Sequence, residues 1–253
     1  MTTSRDLHRD HQNVPAAPTT AALLLPGQAA APPGPCDMSG MYLMHHAFRR
    51  DLRDFTAAAG HTPPEDGTTW RAINERWGHF SHHLHGHHSV EDRVLWPLLL
   101  DRVDAAGDTA GREVLAAMEA EHEQIDPLLQ ECSDLLESML AAPDAAVRTR
   151  LVTALTGAAE VLDAHLSHEE RQAVVLVQRH VGGAEWEELE RKEFRGKPSL
   201  GELRFQLPWM VHEVPDEVVT AMVRAAGPVF AFVLRISRRR FLQQQAAAFR
   251  HVQ

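Results

Sequence analysis

The chain has 253 residues, a formal net charge of −10 and a single tyrosine. That length buries one substantial core with a smaller appendage, and the acidic balance excludes a general nucleic-acid binder, which needs a basic face. Two cysteines, Cys36 and Cys132, make no disulfide framework and fit a cytoplasmic protein, and no apolar run nears the roughly 20 residues of a membrane span.

Residues 1–37 are rich in Pro, Ala and Thr, lack a periodic apolar face and are expected to form a disordered tail. The patch AALLL within them is short and stops at Pro26-Gly27, which does not make a signal peptide. A first helix is predicted from about Ser39 to Ala59, ending at Gly60 before His61-Thr62-Pro63-Pro64. Its apolar seam, Met41, His45, Phe48, Leu52 and Phe55, turns His45 inward. His46 shares a face with Arg49, Arg50 and Arg53 and is expected in solvent. The second helix, from about Thr69 to Val103, places Ile73, Trp77, Phe80, Leu84, His87, Glu91, Val94 and Leu98 on one face. The third follows Asp108-Thr109 to about Leu140, with His122 between Met118 and Ile125. The fourth begins near Asp144, a good N-cap, and ends at Gly182-Gly183, with His165 and Glu169 between Leu162 and Ala173.

Each of four long helices therefore sets a histidine into its apolar seam, and two add a glutamate four residues later, one turn on and on the same side. Buried imidazoles and carboxylates are costly without a partner, and a metal ion is the natural one. At about 1.5 Å per residue the four sites fall at one height in an up-down-up-down bundle. Imidazole and carboxylate ligands without thiolate suit iron, manganese or zinc, and six ligands exceed what one tetrahedral zinc needs. Two bridging glutamates, with His45 and His87 on one metal and His122 and His165 on the other, point to a di-iron site with an oxo or hydroxo bridge.

The segments MHHAFRRDL, HHSVEDRVLWPLL, MEAEHEQIDPLL and AHLSHEERQAV resemble the hemerythrin-like (HHE cation-binding) proteins, most of all bacterial, actinobacterial-type members, over about Met38 to Val181. The resemblance implies a non-haem di-iron centre in a four-helix bundle, with His45, His87, Glu91, His122, His165 and Glu169 as ligands. Oxygen-carrying members place a second histidine one turn after the first on the third helix, where this chain has Asp126. Their fourth-helix carboxylate is an Asp five residues after its histidine, where this chain has Glu169 four residues on. Asp126 as an added ligand would favour the ferric state, so oxygen sensing, peroxide or nitric oxide chemistry, or iron handling is expected ahead of reversible oxygen carriage. The first function is thus binding or sensing of oxygen or another small diatomic; the second is a di-iron oxidoreductase acting on peroxide or nitric oxide; the third is iron storage or delivery.

His82, His83, His85 and His88 are expected to be partly exposed or to sit behind the ligands, with His83, one turn before His87, the best placed. Tyr42, one turn before His45, is read as core edge or as a hydrogen-bond donor to a metal-bound ligand. Pro97 and Pro127 remove backbone hydrogen bonds and should bend their helices. The bundle is assigned to residues 38–183 and a helical extension to residues 184–253. In the extension, helices are predicted over Ala184 to Phe194, Pro215 to Ala226, and from Gly227-Pro228 to about Arg250. The last carries Phe230, Val233, Leu234 and Phe241 beside Arg238-Arg239-Arg240. It is expected to pack on the bundle or to pair two copies as a homodimer, ahead of lying on a membrane surface.

Overall fold

Acidic caps set where three of the four bundle helices begin. The computed structural model describes residues 23–196 and 198–252, so the part of the expected tail over residues 1–22 lies outside the described residues. Helix α1 is Ser39–His61. Helix α2 covers residues 67–106 as Gly67–Val90, a wide π-turn Glu91–Leu95, and Trp96–Ala106. Helix α3 is Thr109–Ala141. Helix α4 covers residues 145–180, with a second π-turn, Glu169–Ala173, between Ala145–His168 and Val174–His180. The carboxylates of Asp66, Asp108 and Asp144 accept from the N–H groups of Thr69, Gly111, and Ala146 with Val147, satisfying donors that a helix start leaves open. Gly107 ends α2 at φ 67°, a left-handed turn that costs glycine little. Helices α1 and α3 each pack on both α2 and α4. With short loops between them, consecutive helices run antiparallel and give the expected all-α four-helix bundle. No strand occurs among the described residues.

The core is split in two. One apolar cluster holds Phe48, Phe55, Trp70, Trp77, Phe80, Leu84, Ile125, Leu162 and Leu166. The other holds Met41, Tyr42, Leu43, Leu95, Leu99, Met118, Ala173 and Val177. Read along any helix, the gap between them falls on the polar seam residues: His45 on α1, His87 and Glu91 on α2, His122 on α3, His165 and Glu169 on α4. The π-turns alter the register below this layer. Val94 and Leu98 were expected to follow Glu91 inward, but both are half-buried, and Leu95 and Leu99 are fully enclosed instead. The wide turn holds one extra residue, which moves the buried face on by one. Pro97 lies in the first turn after it, where a missing N–H is tolerated; Pro127 lies on the exposed side of an uninterrupted α3.

Residues 23–37 are coil, yet they are held against the bundle, which corrects the expectation of disorder for that stretch. Leu25 and Cys36 are buried, and the Ala29 N–H donates to Glu170 Oε2 at 2.6 Å. His46, expected in solvent, is buried as well, and so is Arg50 on the same face, because this coil and the extension cover that face of α1.

The extension comprises α5 over residues 183–194 (Gly183–Leu189 followed by a π-turn, Glu190–Phe194), α6 (Leu200–Met210), α7 (Asp216–Ala226) and α8 (Pro228–Ala248). Helix α6 was not anticipated. It carries Trp209, fully buried 5.6 Å from the Phe48 ring, whose indole N–H donates to Asp51 at 2.9 Å. The same carboxylate accepts from Arg50 and Arg76, and Arg50 also donates to the carbonyls of Trp209 and His212. A buried, fully enclosed ion network thus ties the extension to the bundle. Helix α8 buries Val233, Leu234, Ser237 and Phe241, packing on α2 and α6. No helix among the described residues is long and apolar enough to cross a membrane.

Candidate metal centre

The polar layer gathers into two groups of ligating atoms. His45, His87 and Glu169 form one, and His88, His122 and His165 the other; within each, one candidate ligand atom per residue lies within 4.8 Å of the others. In the first group His45 Nε2 is 3.3 Å from His87 Nε2 and 3.2 Å from Glu169 Oε2. In the second, His122 Nε2 is 3.2 Å from His165 Nε2, and the His88 ring stacks on His122 with centroids 4.0 Å apart. Glu91 spans the two: its Oε1 is 3.1 Å from His87 Nε2 and its Oε2 3.7 Å from His122 Nε2. All seven side chains are buried, none more than 6 % exposed.

The neighbours aim the imidazoles. Three of the five histidines donate Nδ1–H outward to a carboxylate and so turn Nε2 toward the centre. His45 donates to Glu170 at 2.9 Å, His122 to Asp92 at 2.8 Å, and His165 to Glu121 at 2.8 Å. Glu170 is itself held by Arg49 at 2.6 Å, and Glu121 also accepts from His168 at 2.7 Å. A carboxylate behind a histidine fixes its tautomer and raises its basicity toward a metal. These carboxylates come for little in sequence terms, since Asp92 and Glu170 each follow a seam glutamate and Glu121 precedes His122.

Electrostatics show what the layer needs. Burial, followed by the charge on Glu169, pushes the Glu91 carboxyl well above its usual range. Both its oxygens and both of Glu169 lack any hydrogen-bond partner, as do both nitrogens of His88. Burial, followed by His45, presses His87 down to about 3, and burial with the neighbouring imidazoles lowers His88 and His122, which keeps their lone pairs free. Against its own burial, His45 is raised to about 9 by Glu169. Orphaned carboxylate oxygens beside His87, His88 and His122, whose lone pairs are free, are the arrangement a cation satisfies, and a cation would take the place of the proton on His45. The donors are nitrogen and oxygen alone. Cys36 donates its S–H to the Val181 carbonyl and Cys132 sits in the apolar core, with burial pushing their thiols up to about 11 and about 12.

Of the residues singled out in the sequence, His45, His87, Glu91, His122, His165 and Glu169 are brought together. Asp126 is not: it is exposed on the outer face of α3, outside both groups. The third nitrogen of the second group comes from His88, one residue past His87. A residue in a bundle helix has two neighbouring helices to face, and a 100° step turns His87 toward α1 and His88 toward α3; the adjacent histidine pair was the available signal. His83, the favoured auxiliary, instead stacks on Phe205 and Trp209 of α6, with ring centroids 5.9 and 4.9 Å away, and His82 and His85 are exposed. Tyr42 is core, and its hydroxyl has no partner.

Compared with known families, residues 38–177 match the one described as the Hemerythrin HHE cation binding domain. No curated protein and no solved structure matches the chain.

Proposed function

This chain belongs to the hemerythrin HHE cation-binding domain family, and we propose that it holds two iron ions, one in each group, and binds or senses oxygen or another small diatomic there. The observation that carries the reading is the position of Glu91, a buried carboxylate with one oxygen toward each group. A bridging carboxylate makes one two-metal centre out of two three-residue sites. Iron suits five imidazoles and two carboxylates without thiolate, and supplies reversible electron transfer to a small bound molecule. His88 also bears on the kind of ligand. With Asp126 outside, the second group is built of three imidazoles and no carboxylate of its own, and the added negative charge that argued for a ferric resting state falls away; oxygen binding therefore stands ahead of the alternatives.

The residues divide the work. His45, His87 and Glu169 would hold one ion and His88, His122 and His165 the other, with Glu91 facing both groups. Glu170, Asp92 and Glu121 fix ring orientation, and the two apolar clusters close the layer above and below. A second reading, conversion of peroxide or nitric oxide, draws on Tyr42. Burial, then the charges on Glu170 and Glu169, raise its pKa and keep its hydroxyl protonated, so it would offer a hydrogen bond to a small molecule held at the first group.

Iron content per chain and the absorption spectrum, before and after dithionite and then air, test the assignment. Two irons whose near-ultraviolet bands bleach with dithionite and return in air support a redox-active two-iron centre, and oxygen taken up by the reduced protein and released again under vacuum supports oxygen binding. Sustained peroxide consumption supports the second reading. Zinc, or a single iron, overturns the two-iron centre.

A further inference from the structure

The extension encloses more space than a diatomic ligand needs. A chamber of about 1360 Å³, open on one side, lies between α1 and α2 and the helices of the extension. Ligand pockets for drug-sized molecules commonly occupy roughly 300–1,000 Å³. One wall includes His87, a member of the first metal group, and Phe194 stands against that ring with centroids 6.1 Å apart. The chamber therefore reaches the metal centre.

Its lining states what would fill it. Met41, Met44, Met210 and Met222, half of the chain's eight methionines, face it; flexible thioethers make an adaptable apolar surface. Helix α7 turns Val218 and Met222 toward it; these pack in part on the second apolar cluster, yet no residue of that helix is buried, so the apolar face of an amphipathic helix borders the chamber only half covered. The charge of the lining is one-sided. Among the described lining residues, Asp37, Glu187, Glu190, Glu193, Glu202 and Glu217 stand against one arginine, Arg195, which is tied to Glu190 at 2.6 Å, while Glu193 meets Arg93 at 3.6 Å. Trp186, Phe194 and Phe230 supply aromatic rings in the same wall. Carboxylates and aromatic rings together attract an organic cation, and that charge repels a fatty-acid anion.

We propose that this chamber is a binding site for an apolar organic cation, an ammonium ion bearing an alkyl or aryl tail, seated beside His87. The metal-centre reading is needed only for what such a ligand would influence; the binding itself stands apart from it.

Calorimetric titration of the full chain, iron-loaded and chelated, with decyltrimethylammonium, decanol and decanoate below their micellar concentrations tests the site. One ammonium should bind per chain, at least about tenfold more tightly than decanoate, with decanol between them. Gly86→Leu fills the chamber from a position where an added Cβ meets nothing within 4 Å, and Ala221→Trp does so from an exposed one. Both should weaken all binding while the fold is kept, with Gly86→Leu melting no lower than the parent because it removes a glycine from inside α2. Glu190→Gln with Glu193→Gln should weaken the ammonium and spare decanol. Decanoate binding as tightly as the ammonium, no saturable binding, or binding that ignores both filling variants would overturn the proposal. Two irons per chain without ammonium binding refutes the chamber alone; ammonium binding without iron uptake refutes the metal centre alone.

Discussion

Glu91→Met should change the chain's stability in opposite directions with and without metal. The side chain is wholly enclosed and neither carboxylate oxygen has a partner. Methionine has similar length and no group to satisfy. In chelator the variant should therefore gain the cost of an unsatisfied buried polar group, about 1–3 kcal/mol. For a chain of this size that is a rise in melting temperature of roughly 5 °C, at about 2–4 °C per kcal/mol. In iron the order should reverse. Metal at about a thousand times its dissociation constant stabilises the native state by about 4 kcal/mol, and Glu91 is the one ligand that faces both groups, so the variant forfeits most of that. Thermal melts by circular dichroism, each in chelator and in anaerobic ferrous iron, give the four values needed. A variant less stable than the parent by the same amount in both conditions would show Glu91 to be an ordinary structural residue and would refute the reasoning.

Glu121→Gln, which loosens the grip on His165 and His168, should lower iron affinity of the second group about 10–100-fold while the first keeps its ion; competition with a calibrated chelator reads both. Asp51→Ala leaves the buried guanidiniums of Arg50 and Arg76 unpaired and should cost about 3–5 kcal/mol in urea unfolding. Burial would raise the Asp51 pKa, but Arg76 and Arg50 outweigh it and hold it below the usual value. Its contribution is thus complete above an unfolded pKa of about 3.9 and is lost as pH falls through the lower folded value. The parent's urea midpoint should drop more steeply than the variant's between about pH 5 and pH 2, and parallel curves would count against the network. Gly78→Ala, in an exposed position inside α2 where the new Cβ meets nothing within 4 Å, should stabilise by about 0.5–1 kcal/mol; a lower melting temperature would contradict it.

The bundle and six of the seven grouped side chains were legible because helical periodicity reports which way a residue faces, and a charged residue in an apolar stripe stands out. What periodicity cannot see is a second inward direction, which hid His88, or a turn of abnormal width, which moved Leu95 and Leu99 into the places given to Val94 and Leu98. Helix α6 was obscured by Pro208 and by apolar residues spaced as in a strand, Leu203, Phe205, Leu207 and Trp209, although Ser199 and Glu202 form a reciprocal cap that marks its start. The coil at 23–37 is held by contacts distant in sequence, such as Ala29 with Glu170, and leaves no local pattern.

The two π-turns of the bundle helices begin at Glu91 and Glu169, the carboxylates that meet the histidine groups. Removing one residue from the first, such as the exposed Arg93, would return the ladder to ordinary α spacing while Leu99 and Val103 kept their places in the core. Only the turn bearing Glu91 would be reshaped. A lineage carrying this bundle could thus lose, or acquire, its inorganic chemistry through a single-codon deletion or insertion, with the hydrophobic packing inherited almost intact.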